Sequence, residues 1–598
     1  MRQDYCNYRN FTFLKKYVIF ILKALQGVFF FAYFYKKGFE MFNKNLEFLG
    51  NDALKDRLSR ITLEESSKKM SYCMTPSNDY LLMKNDVPID DINNPREAIK
   101  DMLKSTIKIP MDKNDIIITF GIGLGYLLDE TFNAYNSKIF VYEPDLKLLH
   151  FVLNNVDISE HLRSGRVFIT NDLKELLENL SKIYINKDKV EIVFLKNYAF
   201  VKSQELLELT QKVYETCKTK MLDVNTIARF SRQWLINSLT NISAVNASSV
   251  FALSDLENKF IGQTALIIAA GPSLNENIEK IKANRDKFVI FAVNKVLRVL
   301  EANGITPDFV VCLDASGISA TLTGLEDFCS KINCISDLKS DISLLTKTFK
   351  KHFITFSKNE AVVNKLANYN KFVKMAEYGG SATTMALVVA HQLGFSKIIF
   401  AGLDLAFKND IMYATGEAIQ QTPNGQIVTS NITKNISRIK SETGEVVKTR
   451  DDYAAIINHF EVLIKDLAIK EVYNTTSFGA YIEGMKNVKL DDIPLFLSSS
   501  GTSLILSDVK PIKLVIKDWM QEELFLINNV ISMLSKGVFS PALISAIVKS
   551  SLLYSYMQAD IINVMQAKFE PSLAEDFINK TKVSIKNVVE YLQKLRLI

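Results

Sequence analysis

Apolar runs alternate with helical stretches through the middle of the chain. One run at residues 265–270 stops at a Gly-Pro-Ser turn, a helical pattern follows, and a second run at 288–293 ends on Asn294. A strand, a tight turn, a helix and another strand form the unit of a parallel sheet with crossovers. Two later apolar runs end on a carboxylate, at Asp314 and at Asp404. The pattern therefore predicts a parallel α/β domain.

The turn at Gly271, Pro272 and Ser273 has the composition of a helix start. Glycine allows a sharp bend, and proline is tolerated where a helix begins because its missing N–H would be unpaired there. Ser273 with Glu276 three residues later fits a capping box. Free N–H groups at such a helix start attract anions at the carboxyl edge of a sheet. The turn predicts phosphate binding, although a helix cap alone also explains Ser273.

A second glycine turn comes later in the chain. Gly379 and Gly380 precede Ser381 and Thr383, and an apolar helix follows. This is another helix start that favours an anion, and capping alone explains one of the two hydroxyls. If the sheet is parallel, one edge collects the following strand ends and turns: Gly271, Asn294, Asp314, Ser381, Thr383 and Asp404.

A third glycine turn lies nearer the start of the chain. The apolar run at 116–120 leads to Gly121, Gly123 and Gly125, and then to a helix, a strand and Glu143. This order is that of a Rossmann-type half-unit in which Glu143 is placed to meet a ribose. One interpretation is a pocket for a nucleotide or S-adenosylmethionine. The other is that the glycines only let the helix pack closely on the sheet.

Length and composition indicate the number of domains and argue against nucleic-acid binding and a zinc site. A chain of 598 residues predicts two to four domains, and a net charge of +6 is too small to indicate nucleic-acid binding. The six cysteines form no CxxC pair, which suits a reducing cytosol. The five histidines include no HxxxH spacing, so we expect no zinc site.

Five strings carry a family resemblance: AAGPSLN, FAVNKVL, PDFVVCLDAS, GGSATTMALVVAHQLG and IIFAGLDLAF. They resemble the central domain of the motility-associated factor (Maf) family, which comprises bacterial flagellin glycosyltransferases. Their order is also similar to that of the small bacterial GT-A-like sialyltransferases, whose glycine-rich turn and following asparagine hold a CMP-sugar. The stretch at 473–484 extends the match, which covers most of residues 41 to about 490.

The resemblance implies an α/β fold with three parts. These are a Rossmann-like N-terminal domain, a central GT-A/sialyltransferase-like parallel α/β domain and a helical C-terminal domain. We place them at 41–250, 251–495 and 496–598. The hairpin-like turns at 423–429 and 442–449 are natural places to receive an acceptor protein.

Residues 1–40 form an apolar leader. Its run at 17–35 is just long enough to span a bilayer, although Lys23 and Gln26 interrupt it. A central lysine costs roughly 2.5–3.5 kcal/mol on insertion, which the surrounding apolar residues could offset. The alternative that we favour is that translation starts at Met41, because residues 41–46 resemble a Maf N-terminus. We expect membrane contact only if the leader is genuine.

The resemblance implies transfer of a nonulosonic acid, pseudaminic or legionaminic acid, from its CMP-activated form to Ser/Thr of flagellin in the cytoplasm. The acceptor partner is then flagellin, no nucleic acid is involved, and a homo-oligomer is compatible with the sequence. No cofactor is expected, and the absence of a DxD motif favours metal independence, because backbone N–H groups can neutralise the one phosphate of a CMP donor. The residues expected to bind the donor nucleotide are Gly271, Pro272, Ser273, Asn294, Ser381 and Thr383.

The general base stays open. It must come within hydrogen-bond reach of the acceptor proton, and the acidic candidates are Asp314, Glu377 and Asp404. The related sialyltransferases use a histidine beyond the last strand, and His459 is the histidine in that region, although its surroundings do not match their motif. His391 is expected to be a core histidine. We leave Asp314, Asp404 and His459 as alternatives.

Three other functions compete with this one. The first is a nucleotide- or S-adenosylmethionine-dependent enzyme that uses the turn at 121–125. The second is a non-catalytic chaperone that binds flagellin. The third is a pyrophosphokinase, because some relatives of the central domain act on pterins.

Overall fold

The computed structural model describes residues 40–184, 188–341, 348–358, 360–407, 436–494, 506–537, 539–566 and 571–598. The chain divides into two compact units, Met1–Met221 and Leu222–Ile598. The predicted leader up to residue 39 and the predicted turn at 423–429 lie outside the described residues. None of the described helices combines the length and the apolar character needed to cross a membrane.

The strands of the first unit form two sheets. A three-stranded antiparallel sheet contains β1 (Met70–Met74), β2 (Tyr80–Lys84) and β3 (Val87–Pro88). A parallel sheet of order β6-β5-β4-β7 contains β4 (Ile116–Phe120), β5 (Lys138–Tyr142), β6 (Val167–Thr170) and β7 (Val190–Phe194). Every residue of β4 is buried, as expected of a strand covered on both faces. The predicted Rossmann-like half-unit is present.

Helices cover this sheet and complete its core. They are α1 (40–48), α2 (Asp52–Ser59), α3 (Leu63–Ser67), α4 (Pro95–Thr106), α5 (Tyr126–Ala134), α6 (Leu146–Asn155), α7 (Ser159–Arg163), α8 (Leu173–Ile183) and α9 (Lys196–Val201). The 45-residue helix α10 (Ser203–Ala247) contributes residues to both units.

Among the described residues of the second unit, ten parallel strands form one sheet of order β14-β13-β12-β11-β10-β9-β15-β18-β19, and β8 also pairs with β13. The strands are β8 (Val250–Ala252), β9 (Thr264–Ile268), β10 (Val289–Val293), β11 (Phe309–Cys312), β12 (Asn333–Asp337), β13 (Lys351–Ser357), β14 (Met375–Ala376), β15 (Lys397–Ala401), β18 (Val472–Asn474) and β19 (Lys486–Asn487). A separate hairpin pairs β16 (Ile436–Lys440) with β17 (Val446–Arg450), so the turn predicted at 442–449 is a hairpin.

The helices of this unit lie on both faces of the sheet. They are α11 (Ile278–Ala283), α12 (Leu297–Ala302), α13 (Ile318–Leu322), α14 (Glu326–Cys329), α15 (Ala361–Tyr369), α16 (Ala382–Gln392), α17 (Asp451–Asp466), α18 (Lys517–Ser535), α19 (Pro541–Lys549), α20 (Ser551–Gln566) and α21 (Ala574–Lys594). Alternate residues of β9 enter different apolar clusters, with Leu266 and Ile268 on one face and Ala265 and Ile267 on the other. This is why the strand is apolar along its whole length.

The C-terminal helices share a core with the sheet. Trp519 and Leu553 belong to the same buried cluster as Leu266 of β9. The boundary between the two compact units falls between residues 221 and 222, inside α10. The sequence predicts boundaries at 250/251 and 495/496. Because residues beyond 496 bury their apolar side chains against the sheet, they form one compact unit with it.

Candidate functional site

The carboxyl edge of the ten-stranded sheet collects two of the residues predicted to bind the donor and two of the candidate bases. Asp314, Asn294, Gly271 and Asp404 follow the neighbouring strands β11, β10, β9 and β15. Since all these pairings are parallel, the four strand ends lie side by side, with neighbouring strands about 4.8 Å apart. The structure therefore brings these residues to one edge, as the sequence predicts, and we call this edge the rim.

The turn after β9 is closed by a carboxylate of the protein itself. Asp404 is 3% exposed and accepts hydrogen bonds from the Ser273 amide (2.9 Å), from the Ser273 hydroxyl and from the Thr476 hydroxyl (2.6 Å). Asp404 thus occupies the place that the sequence assigned to an anionic ligand. The expectation that Ser273 holds phosphate is corrected, because its amide and its hydroxyl are both already used.

The other backbone groups of this turn are also paired. The Gly271 amide donates to the Gly402 carbonyl at 2.9 Å, and the Leu274 amide donates to the Gly271 carbonyl at 3.1 Å. Pro272 has no N–H to offer. The residues Pro272–Glu276 form a 3-10 turn with no side-chain cap, so the predicted capping box of Ser273 and Glu276 is absent.

Residue 271 must be a glycine because a side chain there would clash with its neighbours. Gly271 has φ −72°, which any residue adopts, but a Cβ atom there would lie 2.5 Å from Asp404 Oδ2 and 2.5 Å from the Gly402 carbonyl oxygen. The sequence argument invoked backbone freedom, and the physical reason is the close approach of two neighbouring strand ends.

The start of α16 offers free donors to the rim. Ser381 is the N-cap: its hydroxyl accepts from the Thr384 amide at 3.1 Å, and the Thr384 side chain accepts from the Ser381 amide at 3.2 Å. Within the described chain, the amides of Ala382 and Thr383 have no acceptor. Ser381 and Thr383 are half-buried, and their hydroxyls are 3.0 Å apart. This helix start retains the donors that the turn at 271–274 has used internally.

His459 lies against the glycine turn that precedes this helix. A Cβ atom added to Gly379 would be 2.8 Å from His459 Cβ and 3.0 Å from its Cγ. Gly379 also has φ +73°, so glycine is needed there for both conformation and space. The structure therefore brings His459, on α17, beside Gly379, two residues before the N-cap Ser381.

The other two candidates for the base differ sharply in access. Asp314 is exposed, and its backbone carbonyl accepts from the Asp341 amide at 3.0 Å, which fixes the loop. Asp404 is buried, which raises the pKa of its carboxyl against the opposing effect of the bonds from Ser273 and Thr476. A base must reach the acceptor hydroxyl, so the expectation for Asp404 is corrected to a positioning role.

Asn294 ends β10 and begins a 3-10 turn. Its side chain is 2% exposed and donates from Nδ2 to the Thr321 hydroxyl at 3.2 Å. Thr321 in turn donates to the Ile318 carbonyl at 2.7 Å. The asparagine is thus held in a fixed orientation at the rim.

Two asparagines that sequence reasoning missed anchor the rim loops. Asn237 of α10 donates to the carbonyls of Ala315 (2.8 Å) and Lys339 (2.9 Å). Asn241, one turn later, donates to the carbonyls of Leu338 (2.7 Å) and Ser340 (2.8 Å). Two asparagines four residues apart share a helix face, and this spacing was the signal that could have identified them.

Asp337, at the end of β12, is a third missed residue. It is fully buried and accepts from the Ser357 hydroxyl at 2.7 Å and from the Lys339 amide at 3.0 Å. Burial raises the pKa of Asp337, while the nearby Lys339 ammonium opposes that shift. Lys339 is itself paired with Glu360 at 2.7 Å. This buried network stabilises the rim next to Asp314.

A buried carboxylate of the protein, that of Glu143, occupies the glycine turn of the first unit. Glu143 is fully buried and accepts from the amides of Ile122 (3.0 Å) and Asp145 (2.9 Å) and from the Tyr198 hydroxyl. The ribose role expected for Glu143 is corrected, because its carboxylate holds the turn instead. Burial raises the pKa of Glu143 to about 7.

The three glycines of that turn permit close packing. A Cβ atom at Gly121 would be 2.6 Å from Tyr198, and one at Gly123 would be 2.9 Å from Asp90. The Gly125 amide is also used, since it donates to the Ile122 carbonyl at 2.9 Å. These contacts favour the packing interpretation of this unit over a nucleotide pocket.

Nowhere in the described parts of the chain do three or more His, Cys, Asp or Glu side chains gather so as to hold a metal ion.

Comparison with known sequences gives partial matches. Residues 237–410 match the family described as 6-hydroxymethylpterin diphosphokinase MptE-like. A protein of Treponema pallidum (strain Nichols), described as uncharacterized, is 32% identical over 116 residues, which is 19% of this chain and 52% of that protein. The chain thus spans about half the length of the curated relative that it matches.

Comparison with solved structures gives a match over nearly the whole chain. The Maf glycosyltransferase from Magnetospirillum magneticum AMB-1 aligns with a TM-score of 0.62 at 15% sequence identity, over 93% of this chain and 96% of that one. The mixed α/β architecture with parallel sheets is common to both. The predicted resemblance is confirmed at the level of the fold: this chain has the fold of a Maf glycosyltransferase.

Proposed function

We propose that the protein is a glycosyltransferase that moves a nonulosonic acid, pseudaminic or legionaminic acid, from its CMP-activated form to Ser/Thr hydroxyls of flagellin. The observation that carries the proposal is the fold shared with the Maf glycosyltransferase over 93% of the chain. The reaction takes place in the cytoplasm before flagellin is exported, and it supports flagellar assembly and motility. It needs neither a cofactor nor a metal ion.

The helix start at Ser381 is the best place for the donor's phosphate. The amides of Ala382 and Thr383, which have no acceptor among the described residues, and the positive end of an 11-residue helix all favour an anion there. Asn294, fixed by Thr321, supplies the amide group that hydrogen-bonds the cytidine. The turn at 271–274 supports this site through Asp404 and does not contact the phosphate.

His459 is the base in this arrangement, because it lies against Gly379 in the turn that leads into this helix. The acceptor hydroxyl oxygen forms a bond to the anomeric carbon as the bond from that carbon to the phosphate oxygen breaks. CMP leaves with the electron pair of the broken bond, and the hydroxyl proton passes to His459. The hairpin of β16 and β17 lies beside the rim, since the Glu442 amide donates to the Gly479 carbonyl at 3.1 Å, and it is a natural surface for flagellin.

Purified protein, flagellin and a CMP-nonulosonate provide the direct test. Mass spectrometry of flagellin should show the added sugar mass with the wild type. His459→Ala should lower the transfer rate at least about 100-fold while CMP still binds, as expected when a general base is removed. If Asp314→Asn abolishes transfer and His459→Ala does not, Asp314 is the base. Unchanged sugar occupancy in flagellin from a deletion strain would leave only the role of a flagellin-binding chaperone.

A pterin diphosphokinase is the second candidate. The match of residues 237–410 to the MptE-like family supports it, and that segment contains Asn294, Asp314 and Ser381. Incubation with ATP, Mg²⁺ and 6-hydroxymethylpterin, followed by chromatography for AMP, tests it. Release of AMP that depends on the pterin would establish this activity, and its absence together with sugar transfer would establish the first.

A further inference from the structure

A cavity opens at the opposite edge of the ten-stranded sheet from the rim. Its volume is about 520 Å³, within the range of small-molecule sites. Asp308, Asn333 and Lys351 line it at the points where β11, β12 and β13 begin. Because the rim lies where these strands end, the cavity is separate from the site proposed for sugar transfer.

The cavity is lined by an excess of positive charge. Its cations are Arg285, Lys331, Lys350 and Lys351, against the single carboxylate of Asp308. That carboxylate is already engaged, since Arg285 pairs with it at 2.9 Å and the Ile290 amide donates to it at 2.8 Å.

Among the described residues, no acid forms an ion pair with the remaining cations. Lys351 donates to the Leu506 carbonyl and lies 5.0 Å from the ring centre of Phe251. In the described part of the chain, Lys331 and Lys350 are exposed and form no ion pair. Three lysines of like charge around one cavity attract an anion, since a concave wall of low dielectric focuses their field.

Asn333 contributes a buried hydrogen-bond acceptor to the cavity. It is 5% exposed, and its Nδ2 donates to the Asp308 carbonyl at 3.0 Å, but its Oδ1 has no donor partner among the described residues. A buried acceptor left unpaired is unusual in a folded protein. An O–H group of a molecule in the cavity would supply the missing donor.

We propose that this cavity binds a small anion that carries hydroxyl groups, the chemistry shared by sugar phosphates and sugar acids. The anionic group lies among the ammonium groups of Lys331, Lys350 and Lys351, and a hydroxyl donates to Asn333 Oδ1. The proposal concerns binding, and it stands whether or not the protein transfers sugars at the rim.

Calorimetry on the full chain at low salt tests this with ribose 5-phosphate, gluconate, inorganic phosphate and ribose. At least one of ribose 5-phosphate and gluconate should bind, and it should bind more tightly than inorganic phosphate. The tighter of the two shows whether the anionic group is a phosphate or a carboxylate. Ribose should not bind. Raising the salt concentration should weaken binding, because ions screen exposed charges.

Matched charge reversals identify the site. The double variant Lys331→Glu and Lys350→Glu should raise the dissociation constant at least about tenfold, by reversing two of the three lysines that line the cavity. The control Lys536→Glu and Lys549→Glu makes the same change of net charge at two exposed positions, directly after α18 and at the end of α19, and should leave the dissociation constant unchanged. Thermal unfolding of both variants at the temperature of the wild type shows that neither is misfolded.

Several results would overturn the proposal. The first is that both double variants still bind the anion, and the second is that ribose binds as tightly as ribose 5-phosphate. The third is that no small anion binds at millimolar concentration, and the fourth is that a hexaglutamate peptide binds although small anions do not. Inorganic phosphate binding as tightly as both sugar derivatives would also overturn it, because Asn333 would then recognise no hydroxyl.

Discussion

Asp404 accepts hydrogen bonds from both the backbone amide and the hydroxyl of Ser273, 131 residues away in the sequence. A glycine-proline-serine turn that looks like a phosphate site is thereby closed by a side chain from a neighbouring strand end. The interaction turns an anion-binding motif into a structural link between β9 and β15.

Ser273→Ala separates a structural from a ligand-binding role. The variant removes one donor to a buried carboxylate, and we expect the free energy of unfolding to fall by about 1–3 kcal/mol. CMP affinity should stay within about threefold of the wild type, because a donor already used internally contributes little to binding. Thermal unfolding and calorimetry measure the two effects. A large loss of CMP affinity with unchanged stability would restore the phosphate role of this turn.

Gly379→Ala should damage the rim more than Gly380→Ala. Both glycines have positive φ, +73° and +79°, so each alanine carries a backbone strain of about 1–2 kcal/mol. Only at Gly379 does the new Cβ meet His459, at 2.8 Å, whereas a Cβ at Gly380 has nothing within 4 Å. We therefore expect similar losses of stability from strain, with an added loss of sugar transfer in Gly379→Ala. Equal transfer rates in the two variants would contradict the position assigned to His459.

Asn294→Ala should weaken CMP binding by about tenfold, the effect of one or two lost hydrogen bonds. The control is Asn364→Ala, since Asn364 is exposed on α15. Calorimetry with S-adenosylmethionine should give no heat for any of these proteins, because the turn of the first unit is closed by Glu143. Binding of S-adenosylmethionine would instead favour the rival enzyme.

The strands could be predicted because parallel strands buried on both faces leave uninterrupted apolar runs. The run at 265–270 became β9 (Thr264–Ile268), and the run at 288–293 became β10 (Val289–Val293). The polar residues that end these runs share one edge for the same reason. Sequence periodicity therefore sufficed for the fold class and for the placement of Asn294.

The hydrogen-bond partners could not be predicted, because they come from distant parts of the chain. Nothing near Ser273 in the sequence indicates that Asp404 will take its donors, and nothing near Glu143 indicates the hydroxyl of Tyr198. A motif shows which donors exist, whereas packing decides whether a ligand or a side chain uses them. This is why the amides of Ala382 and Thr383 keep no acceptor among the described residues, whereas the donors of Ser273 are used.

Glu143 predicts a pH dependence of stability for the first unit. Burial raises the pKa of its carboxyl to about 7, above its ordinary value of 4.5. Between those two pH values the folded protein binds more protons than the unfolded chain, so stability falls as pH rises from about 4.5 to 7 and then levels off. The contribution is about 3 kcal/mol, since each pKa unit corresponds to about 1.4 kcal/mol.

Glu143→Gln tests that dependence, because a neutral amide cannot titrate. Thermal unfolding of the wild type at pH 5 and pH 8 should show a loss of stability that is smaller in the variant. The control is Glu64→Gln, an exposed carboxylate of the same unit, which should keep the wild-type dependence. If Glu143→Gln and Glu64→Gln lose the same stability between the two pH values, the buried carboxylate is not the titrating group. The glycine turn would then be held by a Glu143 that is charged at all pH values measured.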